Sequence, residues 1–150
     1  FDPYKEIDIK GVKQVADLKM LARLSDVISL HVHVNEETTS MLNVDVFKEM
    51  KNDALIINTS RGELINEIDL VKFLKNNKEA LFATDVLTNE IKNRVNSPLF
   101  KFAKGNTKQV TITQHIGGMT REAQQIAYCH AAQLLKKHFI NNPIELLNVT

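Results

Sequence analysis

Four ionisable residues follow short apolar, β-branched runs in this chain. Arg61 comes three residues after the run 54–58. Asp85 closes the run 81–85, with Glu90 five residues further on. His115 directly follows the run 110–114. A histidine donates or accepts a proton near neutral pH. A carboxylate beside it favours the protonated ring. An arginine offers a planar fork suited to a carboxylate or a polarised carbonyl. Proton transfer combined with carboxylate capture fits redox chemistry on a 2-hydroxy or 2-oxo acid, provided a hydride acceptor lies between them. From position alone, Arg61 and Glu90 read equally well as solvated loop charges, and His115 as a hydrogen-bonded loop residue.

The elements that would position these residues alternate along the chain. Strands are expected over 27–32, 54–58, 81–85 and 110–114, with a weaker run over 12–16. The second run is apolar on consecutive residues, as a strand covered on both faces of a parallel sheet would be. Helices are expected over 17–24, with Leu18, Leu21 and Leu24 on one face, and over 44–50. Asn66 reads as the N-cap of another, with Ile68, Val71 and Leu74 in register. A long helix runs from about Thr120 to Ile140, its inner stripe being Ala123, Ile126, Ala127, His130, Ala131, Leu134 and Leu135, and it closes near Pro143. Strands alternating with helices at this spacing give an α/β fold with a mainly parallel sheet and helices on both faces. Ligands of such sheets bind beyond the carboxyl ends of the strands, where Arg61, Asp85, Glu90 and His115 would converge.

The chain has 150 residues, 43% of them apolar and 25% charged, with a formal net charge of +1. That length suffices for a core, and the charge balance argues against nucleic acid as the main partner. No apolar run reaches the roughly 18 residues a membrane span needs. The single cysteine, Cys129, excludes an internal disulfide framework and fits a cytoplasmic setting. The five glycines, Gly11, Gly62, Gly105, Gly117 and Gly118, form no phosphate-cradling loop.

Five segments carry a family resemblance. The stretch Asn58-Thr59-Ser60-Arg61-Gly62-Glu63-Leu64-Ile65-Asn66-Glu67 resembles the arginine segment of the D-isomer-specific 2-hydroxyacid dehydrogenases. Ala83-Thr84-Asp85-Val86 with Glu90 is similar to that family's glutamate segment, and Gln114-His115-Ile116-Gly117-Gly118-Met119-Thr120 to its histidine segment. Ser25 to Val32 matches a further stretch, and Phe1-Asp2-Pro3-Tyr4 resembles the end of the second strand of its nucleotide domain. The order is the family's, with the phosphoglycerate dehydrogenase branch nearest in flavour. His33 stands where the family usually has proline.

The resemblance implies an NAD-dependent oxidoreductase that passes a hydride between nicotinamide and C2 of a small D-2-hydroxy or 2-oxo acid, 3-phosphoglycerate among the candidates. It makes His115 the acid/base on the substrate oxygen, with Glu90 as its partner, and sets Arg61 on the substrate carboxylate and carbonyl. It places NAD against Asp2, His31, Val32, Thr59, Ser60, Arg61, Asp85, His115 and Gly117. Asp2, on the adenosine ribose, would favour NAD over NADP; in isolation it reads as an Asp-Pro turn. The glycine fingerprint expected some 20 residues before Asp2 lies outside the chain. The expectation is therefore a Rossmann-like domain over 1–150, including the C-terminal helix but lacking its first strand and glycine-rich loop. This would be the C-terminal portion of a longer polypeptide, with the substrate domain upstream of it. Without a central first strand the sheet would be split. A homodimer is the default assembly. The rival reading is a non-catalytic NAD(H)-responsive or corepressor-like protein on the same scaffold.

Other features read as structural. His31 and His33 would share one side of a strand but lack a third metal ligand. Cys129 reads as a buried, inert thiol. Lys101, Lys104 and Lys108 read as a solvated loop. The glycosylation patterns at Asn58 and Asn148 read as chance matches.

Overall fold

In the computed structural model, residues 1–141 are described, and the chain divides into two compact units, Phe1–Gln114 and His115–Thr150. Pro143 and the Asn148 pattern lie outside the described residues. The first unit holds a four-stranded parallel sheet, β1 (Val27–Leu30), β2 (Leu55–Asn58), β3 (Leu81–Thr84) and β4 (Val110–Ile112), in the order β1-β2-β3-β4. The register sets Leu30 beside Asn58, Asn58 beside Thr84, and Thr84 beside Ile112. All four strands thus end at one level, and the loops that follow them leave a common edge.

The first unit's helices are α1 (Leu18–Leu24), α2 (Val44–Phe47), α3 (Glu67–Asn76), α4 (Glu90–Asn93) and α5 (Pro98–Ala103). Contacts run from α1 to α2, α2 to α3, α3 to α5 and α5 to β4, which makes one continuous layer. The strands bury alternate residues towards it: Ile28 and Leu30, Ile56 and Asn58, Phe82 and Thr84, and Val110. Leu42, Leu64, Leu70, Leu74 and Leu99 complete that core. On the opposite face Val27 and Leu81 are exposed, and Leu55 and Ile57 half-buried. The α/β parallel fold is as expected, with helix cover within this unit on one face.

Several local expectations give way. The sheet is continuous rather than split, because its four strands neighbour one another in chain order. Residues 12–16 form no strand: Val12 closes a turn onto Ile9 after Gly11, whose φ is 85°. Residues 1–4 are not a strand either, since the Asp2 carboxylate accepts from the Tyr4 amide at 2.9 Å and folds the chain into a turn. β1 stops at Leu30, so His31 and His33 do not share the side of a strand. The supposed lysine loop contains α5, with Pro98 in its first turn and the Ser97 hydroxyl capping the Phe100 amide at 3.0 Å. Asn66 does cap α3, accepting from Ile68 and Asp69, but Ile68 points to solvent while Leu70 and Leu74 are buried.

In the second unit, α6 (Arg121–Asn141) begins where the Thr120 hydroxyl accepts from the Ala123 amide. Its expected inner stripe is not buried, and Ile126, Leu134 and Leu135 are all exposed. Cys129 is exposed too, contrary to the inert-core reading.

Candidate active site

The loop after β2 is shaped by one buried amide. Asn58, 1% exposed, accepts the Ser60 amide at 3.1 Å and donates to the Arg61 carbonyl at 2.8 Å. The chain turns around this side chain because an Asx-type bond substitutes for the ladder just as the strand ends. The Ser60 hydroxyl donates to the Leu30 carbonyl at 2.7 Å, tying the loop to the end of β1. Arg61 is thereby left extended and exposed. Its guanidinium donates to the Ser60 carbonyl at 2.7 Å, a contact that a carboxylate could replace. Thr59 is exposed beside it.

The loop after β3 is built the same way. The Thr84 hydroxyl shares its single proton between the Asn58 carbonyl at 2.9 Å and the Val86 carbonyl at 2.7 Å. The Asp85 amide donates to the Asn58 carbonyl at 3.1 Å. Asp85 itself is nearly buried, and its carboxylate accepts from the Thr113 hydroxyl at the end of β4. Glu90 opens α4, and its carboxylate accepts from the Leu87 amide at 3.1 Å. The residue before it, Asn89, has a φ of 54°.

Gly62 joins the two loops. A Cβ there would stand 2.1 Å from the Leu87 carbonyl carbon and 2.2 Å from the Thr88 nitrogen. Only glycine permits the arginine loop to lie this close to the backbone that leads to Glu90. The Arg61 and Glu90 segments are therefore brought together as expected. Asp2 is occupied by its own turn. His31 and Val32 are exposed just past β1, with the His31 ring 2.8 Å from the Ser29 hydroxyl. His115 follows β4 by three residues in sequence and opens the second unit, ahead of Gly117; its φ is 57°. Left-handed backbone is uncommon outside glycine, although histidine and asparagine tolerate it better than most. It occurs at Ser40, at Asn89 next to Glu90, and at His115.

One buried carboxylate went unnoticed in the sequence. Glu67, 8% exposed, accepts from the Thr88 amide at 3.0 Å, the Ser97 hydroxyl at 2.6 Å and the Leu99 amide at 3.5 Å. It ends the arginine segment, and a charged residue in the first turn of a helix is ordinarily solvated. The available signal was its place directly after an N-cap, where a carboxylate also meets the helix dipole.

The chemistry of the edge fits the nicotinamide end of a dinucleotide. A carboxylate at Asp85 can accept from a carboxamide, and exposed Thr59 and Arg61 lie one strand away. Among the described residues no glycine-rich turn cradles a pyrophosphate, and no group of three or more His, Cys, Asp or Glu could hold a metal ion. No described helix is long and apolar enough to cross a membrane.

Residues 1–117 match the family model of the D-isomer specific 2-hydroxyacid dehydrogenase, NAD binding domain, and the chain belongs to that family. It is 34% identical over 134 residues to D-3-phosphoglycerate dehydrogenase 1 of Saccharomyces cerevisiae, covering 84% of this chain and 28% of that protein. It is 44% identical over 92 residues to D-lactate dehydrogenase of Escherichia coli, covering 60% of this chain and 28% of that protein. Its fold superposes on D-lactate dehydrogenase with NAD+ from Lactobacillus jensenii with a TM-score of 0.64 at 29% identity, covering 72% of this chain and 34% of that one. The chain thus spans about a third of the length of these relatives. The expected family and fold class hold, and no observation favours the corepressor-like alternative.

Proposed function

We propose that the complete polypeptide is an NAD-dependent D-2-hydroxyacid dehydrogenase, of which residues 1–150 form part of the nucleotide-binding domain. The observation that carries this reading is the close approach at Gly62, which holds an exposed arginine and a glutamate on adjacent loops at the carboxyl edge of a parallel sheet. Arg61 binds the substrate carboxylate and the carbonyl oxygen at C2. His115 delivers the proton to that oxygen in reduction and removes it in oxidation, with Glu90 as its ring partner. Asp85 would accept from the nicotinamide carboxamide, and Thr59, Ser60, His31, Val32 and Gly117 would border the cofactor. Asp2, one of whose carboxylate oxygens accepts from the Tyr4 amide, would offer the other to the adenosine ribose. NAD, when bound, supplies or takes up the hydride at C2. On general grounds we place the protein in the cytoplasm as a homodimer.

The test is NADH oxidation by the complete protein across a panel of 2-oxo acids that includes pyruvate, hydroxypyruvate, glyoxylate and 3-phosphohydroxypyruvate. Turnover with one of them is expected and names the acid. In that assay His115→Gln should lower kcat by about 10²–10⁴, the usual share of a general acid/base. NADH binding without turnover on any acid, or full activity in His115→Gln, overturns the assignment.

A further inference from the structure

We propose that Glu67 is the positioning residue for Glu90; this deepens the dehydrogenase reading and rests on it. Glu67 follows Arg61 by six residues, yet its side chain serves the other loop. One carboxylate oxygen accepts from the Thr88 amide, two residues before Glu90. The other accepts from the Ser97 hydroxyl and the Leu99 amide, beyond α4. The segment that carries Glu90 is therefore pinned at both ends by a single buried group. Ser97 passes the constraint on, since its hydroxyl oxygen also caps α5 at the Phe100 amide. Between the pins α4 spans four residues, none of them buried, Asn89 is left-handed, and the Arg94 guanidinium donates to the Thr113 carbonyl at 3.4 Å.

The chemistry at the pin is specific. A carboxylate is acceptor-only, and here it meets three donors, two of them backbone amides. Glutamine keeps the shape but turns one oxygen into a donor. Placed opposite Ser97 and Leu99, that NH2 can still give a hydrogen bond to the hydroxyl but only opposes the Leu99 amide. An aspartate, one methylene shorter, cannot reach both ends. Gly62 adds the second constraint, because the arginine segment already touches Leu87 and Thr88 through backbone. Glu67 and Gly62 together set Glu90 relative to Arg61, and through Glu90 they set the partner of the proposed acid/base.

The experiment uses the complete protein with the 2-oxo acid that turns over best. Glu67→Gln is expected to lower kcat about tenfold, the equivalent of one charge-assisted hydrogen bond, with KM for NADH held within about twofold. In a Glu90→Gln background the same change should cost less than about twofold, because the residue through which Glu67 acts is already disabled. Ser97→Ala, which removes a single partner, should show the same pattern at a smaller size. An equal loss in both backgrounds marks a merely structural role and overturns the proposal, as does unchanged kcat in Glu67→Gln. Should the wild-type protein turn over no acid, the dehydrogenase reading has failed, and amide hydrogen exchange decides on Glu67 separately. Faster exchange confined to residues 87–99 in Glu67→Gln supports the pin, whereas exchange unchanged there, or raised equally in β2 and β3, overturns it.

Discussion

Two loops leave neighbouring strands at the same sheet edge and are held in opposite ways. The loop after β2 is fixed from below, by buried Asn58 and by Gly62 pressed onto the Leu87 backbone. The loop after β1, residues 31–40, is exposed except at half-buried Thr38 and Ser40. Beyond the Ser40 amide, which donates to the Glu63 carbonyl at 2.8 Å, it secures itself by short-range bonds. Asn35 and Thr38 cap each other's amides at 2.8 Å, and the Thr38 hydroxyl returns to the His33 carbonyl at 2.6 Å. Its only long-range side-chain tie among the described bonds is at the surface, from the Tyr4 hydroxyl to Glu37. A buried polar group must keep its partners or lose about 1–3 kcal/mol, whereas an exposed one can turn to water. The first loop is therefore built for fixed geometry at Arg61. The second tolerates change, including histidine at position 33.

Gly62→Ala should break this contrast most severely. The added methyl cannot occupy space 2.1 Å from a backbone carbon, so the arginine loop and the Leu87–Thr88 backbone must separate. We expect a loss of about 3 kcal/mol in urea melts, at the upper end for overpacking, together with loss of any Arg61-dependent substrate binding. Wild-type stability in this variant would show that the approach is not tight. Asn58→Ala comes next. It strips the partner from the Ser60 amide and the Arg61 carbonyl while leaving β2 intact, at about 2 kcal/mol for two partly buried groups. Accelerated exchange should be limited to residues 59–62, and a uniform change along β2 would show that Asn58 serves the sheet rather than the loop.

Much of this was legible beforehand, for identifiable reasons. The expected runs 54–58, 81–85 and 110–114 are rich in apolar residues, and the strands fall within them at 55–58, 81–84 and 110–112, so composition along the chain locates them to within two residues. Their chemistry-bearing followers come from the same reading. Asn66 was legible as an N-cap because its side chain acts on the next three residues, a purely local matter. What stayed hidden depends on distant partners. Glu67 is buried only because Thr88, Ser97 and Leu99 arrive together from more than 20 residues away. Residues 12–16 have the composition of a strand but no neighbour to pair with. The apolar stripe of α6 was real as a pattern, yet periodicity says which residues share a face and not what covers it; Ile126 and Leu135 are exposed.

The smallest expected effect lies in the β1 loop and sharpens the contrast from its weaker side. The hydrogen bond to Glu37, and then the negative charge of that carboxylate, hold the Tyr4 hydroxyl above its ordinary value of 10.0. The folded state therefore favours the neutral phenol. Any stability this contributes is present below the unfolded value near pH 10 and is lost as pH rises through the higher folded value. Glu37→Gln removes the charge while an amide oxygen can still accept, so the Tyr4 titration followed by phenolate absorbance should move back towards 10. Because the pair is solvent-exposed and screened, the melting temperature at neutral pH should not change measurably. A clear drop in melting temperature would mean that the β1 loop is held as firmly as its neighbour, and that the difference between the two loops is one of exposure rather than of restraint.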